Sequence, residues 1–344
     1  MPMPNVLRAA RKPAAIAAIL GLAASGFSGV LPTAAQAAGA LHATGTVLLG
    51  RFGSSFNYDF AESPSGAVFY SSGAKVYLVK GTSAPVQVVQ ATGNVLAVAA
   101  NSSELFVDVG ATVTAYRLPG GIAVQRWRLN SQFPTTSAGL YAVGSTIWGW
   151  TDFATDESGF EYATVSRFTT SSSAVHLVSA NIAYPADVAA NANGLYYEAI
   201  RNDGTNGYVV HVTPSGSSRR VTDLNIDGPL ALAGGRVELL VPHFSNGSTY
   251  LDSYNADSLA RAFSRRVADG DLDIAGTGAG LLLLDVPCQG SSPCSAATVS
   301  QLSTATGATI STLTVPDAAT LVAGSSAAVI TYRSGKFYLE RLAG

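Results

Sequence analysis

Six polar residues, five of them aspartates, recur along this chain at intervals that suit a shared site. They are Asp59, Asn94, Asp187, Asp227, Asp273 and Asp317. Each opens a short apolar segment. Carboxylates that converge on one axis repel each other and favour a hard cation with oxygen ligands. Alternatively, each aspartate caps its own turn by accepting backbone N–H bonds. The pattern predicts either a ring of ligand-binding residues at the mouth of a central channel, with Ca²⁺ or another divalent cation as a candidate occupant, or a set of turn caps.

The densest acidic cluster is the run Asp269, Gly270, Asp271, Leu272, Asp273. Alternate carboxylates in a glycine-containing loop resemble the first half of a calcium-binding loop, so Asp269, Asp271 and Asp273 are candidate metal ligands. The bidentate glutamate that would complete such a loop is missing, because the next acid is Asp285. A solvated turn is the alternative interpretation.

The sequence contains none of the nucleophile-elbow, phosphate-loop or zinc-helix motifs that mark common catalytic sites. The four histidines have no metal-ligand spacing. No cofactor is therefore predicted beyond the cation that the aspartates could hold.

The elements that must position these residues are β-strands. Short apolar or alternating runs rich in Val, Leu, Tyr and Thr recur between clusters of Gly, Ser, Asn and Asp, as in 75–79, 105–109 and 207–212. This alternation is typical of strands and hairpins.

The strands group into repeating units that begin at the six polar residues and at Thr136. The seven starts are about 35, 42, 51, 40, 46 and 44 residues apart, close to the ~40–50 residues of a four-stranded propeller blade. The sequence therefore predicts an all-β protein, a β-propeller of about seven four-stranded blades. A β-helix and paired sandwiches are alternatives with similarly short strands.

The two ends of the chain support a closed ring. The last unit, from Asp317 onwards, contains about three strands, and the strand at 46–52 has no unit of its own. We expect this N-terminal strand to join the outside of the last blade, which closes the ring and protects an exposed edge.

Two segments resemble known propeller repeats. The segment 185–197, which contains Asp187 and Gly194, resembles the blade signature of NHL and SMP-30-like propellers, and 301–309 is similar to the strand–turn–strand of PQQ-type and YVTN-type repeats. The form D-x6-G recurs at Asp59, Asp187 and Asp273. The resemblance implies an architecture, since families with these repeats include enzymes and binding modules.

The N-terminus has the features of an export signal. Arg8, Arg11 and Lys12 precede an apolar stretch at 14–30, and the small-x-small pattern at 35–37 predicts cleavage before Ala38. A transmembrane anchor is the alternative. We expect residues 1–37 to be a signal peptide and residues 38–344 to form one secreted domain, without membrane attachment after cleavage.

The charge of the chain limits its partners, and its two cysteines predict a disulfide. Removal of the leader's three basic residues leaves 17 Lys and Arg against 22 Asp and Glu, a net charge of about −5, which gives no electrostatic basis for nucleic-acid binding. In an oxidising compartment the close pair Cys288 and Cys294 is expected to form a disulfide.

Three functions fit these features. The leading hypothesis is a secreted, monomeric binding module for a protein, glycan or small molecule. The second is a divalent-cation-dependent enzyme, such as a lyase, lactonase or glycan-active hydrolase, with its site at the mouth of the central channel. The third is a structural cell-wall or matrix protein.

Overall fold

The protein is all-β, as its alternating apolar pattern predicts. The computed structural model describes residues 40–51, 59–129, 138–152, 162–183, 185–200, 207–224, 228–243, 248–267, 271–277, 280–287, 294, 296–322 and 324–344. These ranges contain 28 strands, all paired antiparallel within seven four-stranded sheets. No helix in them has the length and hydropathy needed to cross a membrane.

The sheets follow one another along the chain as blades, and the chain opens with β1 (His42–Arg51). Blade 1 consists of β2 (Phe60–Glu62), β3 (Val68–Ser72), β4 (Lys75–Val79) and β5 (Val86–Gln90). Blade 2 consists of β6 (Ala97–Ala100), β7 (Glu104–Val109), β8 (Thr112–Arg117) and β9 (Ile122–Arg128). Blade 3 consists of β10 (Ala138–Val143), β11 (Thr146–Asp152), β12 (Tyr162–Thr169) and β13 (His176–Ala183).

The second half of the chain repeats this arrangement. Blade 4 consists of β14 (Pro185–Asn191), β15 (Gly194–Ile200), β16 (Gly207–Val212) and β17 (Ser218–Leu224). Blade 5 consists of β18 (Leu230–Ala233), β19 (Arg236–His243), β20 (Ser248–Asn255) and β21 (Arg261–Arg266). Blade 6 consists of β22 (Asp271–Thr277), β23 (Gly280–Val286), β24 (Thr298–Leu302) and β25 (Thr309–Thr314). The last three strands are β26 (Ala318–Val322), β27 (Ala327–Arg333) and β28 (Lys336–Ala343).

The ring closes where the two ends of the chain meet. β1 pairs antiparallel with β28, so blade 7 has the order β26, β27, β28, β1 from the axis outwards. The innermost strands contact one another in sequence, and β2 also contacts β26. The predicted seven-bladed propeller with its N-terminal closing strand is confirmed, and the β-helix and sandwich alternatives are wrong.

The D-x6-G repeat has a conformational cause. Gly66, Gly194 and Gly280 have φ values of +79°, +144° and +133°, which side chains rarely adopt. Each lies at the turn between the first and second strand of its blade. A Cβ on Gly194 would lie 2.9 Å from the carbonyl carbon of Val212 on the third strand, so this turn requires glycine for space as well.

The hydrophobic core lies between the blades and not within any one of them. Among the described residues, each of the seven buried clusters draws side chains from two adjacent blades. Trp148 and Trp150 of blade 3, for example, pack against Leu195 and Tyr197 of blade 4. The stability of each blade therefore depends on the one beside it.

A polar seam reinforces the closure between blades 7 and 1. Glu62 is buried, and its Oε1 accepts hydrogen bonds from the backbone N–H of Ser326 and the hydroxyl of Ser325, both at 3.0 Å. Arg341 donates from Nη1 to Ser326 Oγ at 3.1 Å and from Nε to the carbonyl of Gly81 at 3.3 Å. Burial raises the pKa of Glu62, while the serine bonds and Arg341 lower it.

Cys294 is buried beside the core shared by blades 6 and 7. Cys288 lies outside the described residues, so its pairing with Cys294 stays a prediction.

Candidate functional site

Two of the predicted site aspartates connect neighbouring blades. Asp59 directly precedes β2 and is buried, and its Oδ2 accepts a hydrogen bond from the backbone N–H of Val98 in blade 2 at 2.6 Å. Asp273 lies on β22, and its Oδ2 accepts from the N–H of Leu321 at 3.0 Å and the hydroxyl of Thr320 at 2.8 Å, both in blade 7. These carboxylates therefore hold the innermost strands of adjacent blades at a fixed spacing.

This arrangement differs from both interpretations of the sequence. Val98 and Leu321 occupy equivalent positions, since each pairs with a buried valine of the second strand of its blade. The aspartates bond backbone N–H groups, as turn caps do, but the N–H groups belong to the next blade. Ligand binding by Asp59 and Asp273 stays a prediction.

Asp317 and Asn94 lie at other inter-strand connections. Asp317 has a φ of +60°, and its backbone N–H donates to the carbonyl of Cys294 at 2.9 Å. Its Oδ2 lies 3.9 Å from Nε of Arg333, which also bonds the carboxylate of Glu340. Asn94 is exposed in the connection between β5 and β6. Asp317 is therefore part of a largely buried charge network within blade 7.

The other predicted site residues lie wholly or partly outside the described residues. Asp227 and Asp269 are outside them entirely. Asp187 and Asp271 lie on β14 and β22, but their side chains are not among those described. Where side chains are described, no group of three or more His, Cys, Asp or Glu is arranged to hold a metal ion. The calcium hypothesis for Asp269, Asp271 and Asp273 stays a prediction.

The structure contains a buried acid that sequence reasoning missed. Glu238 lies on the second strand of blade 5, is completely buried, and accepts one hydrogen bond from Ser253 Oγ at 3.0 Å. Its other oxygen, Oε2, has no hydrogen-bond partner within the described part of the chain. Burial raises the pKa of Glu238 to about 8, although the Ser253 bond and the charge of Arg236 oppose the increase. This carboxyl is therefore protonated at neutral pH, with consequences for stability.

Charges on the described side chains are segregated by distance from the propeller axis. Among the described side chains, nine Lys and Arg are exposed, against one acidic side chain, Asp257. All nine lie on the third or fourth strand of a blade or in the turn between those strands. They are Lys75, Lys80, Arg117, Arg126, Arg128, Arg219, Arg261, Arg265 and Arg266. The described outer surface is therefore basic, although the chain as a whole is acidic.

Exposed apolar residues follow the same distribution. Five large hydrophobic side chains among those described are exposed, and all five lie on outermost strands. They are Leu48, Val86, Ile122, Val124 and Ile310. Two of them share β9, where Ile122 is 66% exposed and Val124 is 39% exposed. This strand combines apolar and basic side chains on one exposed edge.

We call Arg117, Ile122, Val124, Arg126 and Arg128 the blade 2 rim. Ile122 lies opposite Arg117 in the β8–β9 pairing. No acidic side chain described between residues 59 and 129 is exposed, and the nearest by register, half-buried Glu104, pairs with Arg117. The blade 2 rim therefore presents a local excess of positive charge beside apolar surface, as protein-binding patches do.

Comparisons with known proteins establish the fold and no family. No protein-family model matches the chain, and no curated protein matches its sequence. Among solved structures, the chain is similar to one in the crystal structure of a mitotic checkpoint complex, with a TM-score of 0.52, 12% identity, and coverage of 93% of this chain and 98% of that one.

Two further solved structures that are similar to this chain come from proteins of different kinds. A chain of hydrazine synthase from Kuenenia stuttgartiensis has a TM-score of 0.55 at 13% identity, covering 86% of this chain and 96% of that one. A chain from the crystal structure of BBS1N in complex with ARL6DN has a TM-score of 0.50 at 14% identity, covering 80% and 86%. The shared fold thus occurs in an enzyme and in protein complexes, and function must be argued from this chain's own surface.

Proposed function

We propose that this protein is an exported binding module that takes an anionic macromolecular partner on the outer rim of its propeller. The observation that carries the proposal is the segregation of charge, with nine exposed basic side chains and one exposed acidic side chain among those described. Clustered charge of one sign attracts a partner of the opposite sign and speeds its association. Exposed apolar side chains on the same strands supply contact area.

The rim suits a partner better than the channel mouth does. Asp59 and Asp273 already bond backbone N–H groups of neighbouring blades, and a ligand that drew them away would leave those groups unsatisfied at a cost of about 1–3 kcal/mol each. Among the exposed arginines, Arg261 and Arg219 bond the carboxylate of Asp252 and the carbonyl of Asp257. The arginines of the blade 2 rim make no such bond to another described residue. A partner can therefore bind the blade 2 rim without disturbing the ring.

The comparisons support a binding role at the level of fold alone. Two of the similar structures are a mitotic checkpoint complex and BBS1N in complex with ARL6DN. The closer likeness of individual blades to NHL, SMP-30-like, PQQ-type and YVTN-type repeats remains part of the proposal.

Export belongs to the proposal as well. The basic and apolar leader at residues 8–30 and the cleavage pattern at 35–37 support it. Intact-mass measurement of the protein recovered from the culture medium should give a chain that begins at Ala38. Its mass should be about 2 Da below that of the dithiol, because Cys288 and Cys294 are joined. Retention of the full-length chain in the cell would contradict export.

The binding role is tested by proximity labelling in the producing culture. The wild-type protein is compared with a variant in which Arg117, Arg126 and Arg128 are changed to Glu. A matched control carries Arg219, Arg265 and Arg266 changed to Glu, which reverses the same amount of charge on blades 4 and 5.

The proposal is supported if the wild type and the control label a partner that the blade 2 variant does not label. That result would also assign the binding surface to the blade 2 rim. If the wild type, the blade 2 variant and the control all label the same partner, the partner binds a surface other than the blade 2 rim. The absence of any partner above background would overturn the binding role itself.

A further inference from the structure

We infer that the outer edge of β9 binds an extended acidic segment of a protein partner, which adds to blade 2 as a fifth strand. The inference rests on the proposed function and specifies its ligand. It is carried by the backbone of β9, by the positions of Arg126 and Arg128 on it, and by a comparison with β25.

The backbone of β9 presents unpaired groups at alternate residues. In an antiparallel pair, successive residues direct their N–H and C=O groups to opposite sides of the strand. The N–H of Leu129 donates to the carbonyl of Ala111 at 2.8 Å, so the backbone groups of Leu129 and Trp127 face inwards, towards β8. Arg126 and Arg128 therefore direct their backbone groups outwards, and among the strands that the structure describes none but β8 pairs with β9. An added strand would meet these groups in register.

The side chains of the same two residues define the chemistry of the ligand. Arg126 and Arg128 lie opposite Thr114 and Thr112 on one face of the sheet. Trp127 lies on the other face and donates from its indole to the carbonyl of Ser172 in blade 3 at 2.7 Å. Alternate residues of a strand lie about 6.6 Å apart. Two guanidiniums at this interval match two carboxylates at alternate positions of an added strand.

A fully extended peptide fits these features better than another polyanion. A glycan or a lipid headgroup could neutralise the arginines, but it has no regular backbone to pair with outward N–H and C=O groups. The arginines also select against a second copy of this chain, because pairing two β9 edges would bring like charges together. Val124, which is exposed beyond Arg126, offers apolar contact to a residue further along the peptide.

The edge strand of blade 6 supplies a matched control within the same molecule. β25 has the register of β9, since Thr312 and Thr314 occupy the positions of Arg126 and Arg128. The N–H of Val315 donates to the carbonyl of Ala297 at 2.9 Å, as that of Leu129 does in blade 2. Ile310 stands in the place of Val124 and is 49% exposed. The two edges thus differ in charge while sharing backbone geometry and an exposed apolar residue.

The test uses a fluorescein-labelled twelve-residue peptide of alternating Glu and Val, titrated against the full protein by fluorescence anisotropy. The comparison variant carries Arg126→Thr and Arg128→Thr, which converts the edge to the chemistry of β25. Affinity should fall about tenfold, the effect of losing two exposed ion pairs. Introducing Thr312→Arg and Thr314→Arg into this variant should restore binding at blade 6.

A second peptide separates strand addition from simple charge attraction. It has the same sequence, with N-methyl groups on the alternate residues that would pair with β9, so its charge is unchanged and its hydrogen bonds are blocked. We expect it to bind at least tenfold more weakly. Amide hydrogen exchange at Arg126 and Arg128 should also slow when the unmodified peptide is bound.

Three outcomes would overturn the inference. These are equal affinity for the two peptides, equal affinity of the wild type and the arginine-to-threonine variant, and no binding of the unmodified peptide. None of them decides the proposed function, which depends on whether proximity labelling of a partner requires the blade 2 rim.

Discussion

At the scale of single residues, Glu238 couples the stability of the protein to pH. Its pKa is about 8 in the folded protein, against 4.5 for an exposed glutamate. Between these values the folded state keeps a proton that the unfolded state loses, so stability falls as pH rises. The decrease approaches about 4–5 kcal/mol above pH 8. We predict that Glu238→Gln has little effect at pH 4.5 and stabilises the protein progressively from pH 5 to pH 8.

The measurement is urea denaturation of both proteins across this pH range. Removing the hydrogen bond from Ser253, which lowers the pKa of Glu238, should have the opposite effect. In Ser253→Ala the pKa rises further, and stability should therefore fall more steeply with pH than in the wild type. A constant difference between the wild type and Glu238→Gln at every pH would show that Glu238 does not titrate as its burial requires.

The atoms around Gly324 leave no room for a side chain at this position. A Cβ at this position would overlap the Glu62 carboxylate and would lie 2.6 Å from the Cβ of Glu62. We predict that Gly324→Ala destabilises the protein by about 1–3 kcal/mol, the range for overpacking. Gly120→Ala is the control, because its Cβ would have no neighbour nearer than 3.8 Å. Equal melting temperatures for Gly324→Ala and Gly120→Ala would contradict the steric argument.

At the scale of the strands, the carboxylates of the innermost strands act as connectors between blades. Asp273→Ala leaves the N–H of Leu321 without its acceptor, and we predict a loss of about 1–3 kcal/mol in the free energy of unfolding. Thr320→Val removes the hydroxyl bond alone and should cost less. Chemical denaturation of both variants and of Asp59→Ala, which removes the equivalent connection, provides the check. A neutral Asp273→Ala would show that the connection contributes no stability.

The strands themselves could be read from the sequence because their signals are local. Alternating apolar residues define each strand, and Gly66, Gly194 and Gly280 mark turns that need positive φ. These features recur at the spacing of propeller blades, so the number of blades could be predicted from them. Local patterns carry no information about which residues meet across a blade boundary. The bond from Ser326 to Glu62 joins residues 264 positions apart.

The candidate site was harder to predict for the same reason. The recurring aspartates were visible, but whether they face a ligand or a neighbouring backbone depends on the packing of two blades. Arg126 and Arg128 gave no motif, because alternate arginines on a strand become distinctive only once the strand is known to be outermost and the residues opposite them are known to be uncharged threonines. Assigning each predicted strand a radial position in its blade would have revealed the basic rim.

At the scale of the whole molecule, stability depends on closing the ring, because each buried cluster spans two blades. Blade 7 receives its fourth strand from the N-terminus, and the apolar face of β1 also packs towards blade 1. Val47 and Leu49 are buried there, and the hydroxyl of Tyr70 in blade 1 donates to the carbonyl of Leu49 at 2.9 Å. Loss of β1 would leave β28 as an open edge and uncover this face.

Adjacent residues of β1 allow this dependence to be tested without deleting the strand. Val47 points into the core, whereas Leu48 is 47% exposed. Val47→Asp would bury a carboxylate among apolar side chains, at a cost of several kcal/mol, and we predict a decrease of about 10 °C in the melting temperature. The strand should separate from β28 in part of the population, so size-exclusion chromatography should show association that increases with concentration. Leu48→Asp places the same charge in solvent and should change stability by less than about 1 kcal/mol. If the two variants melt together and remain monomeric, closure by β1 does not hold the ring, and the polar seam of Glu62 and Arg341 must do so instead.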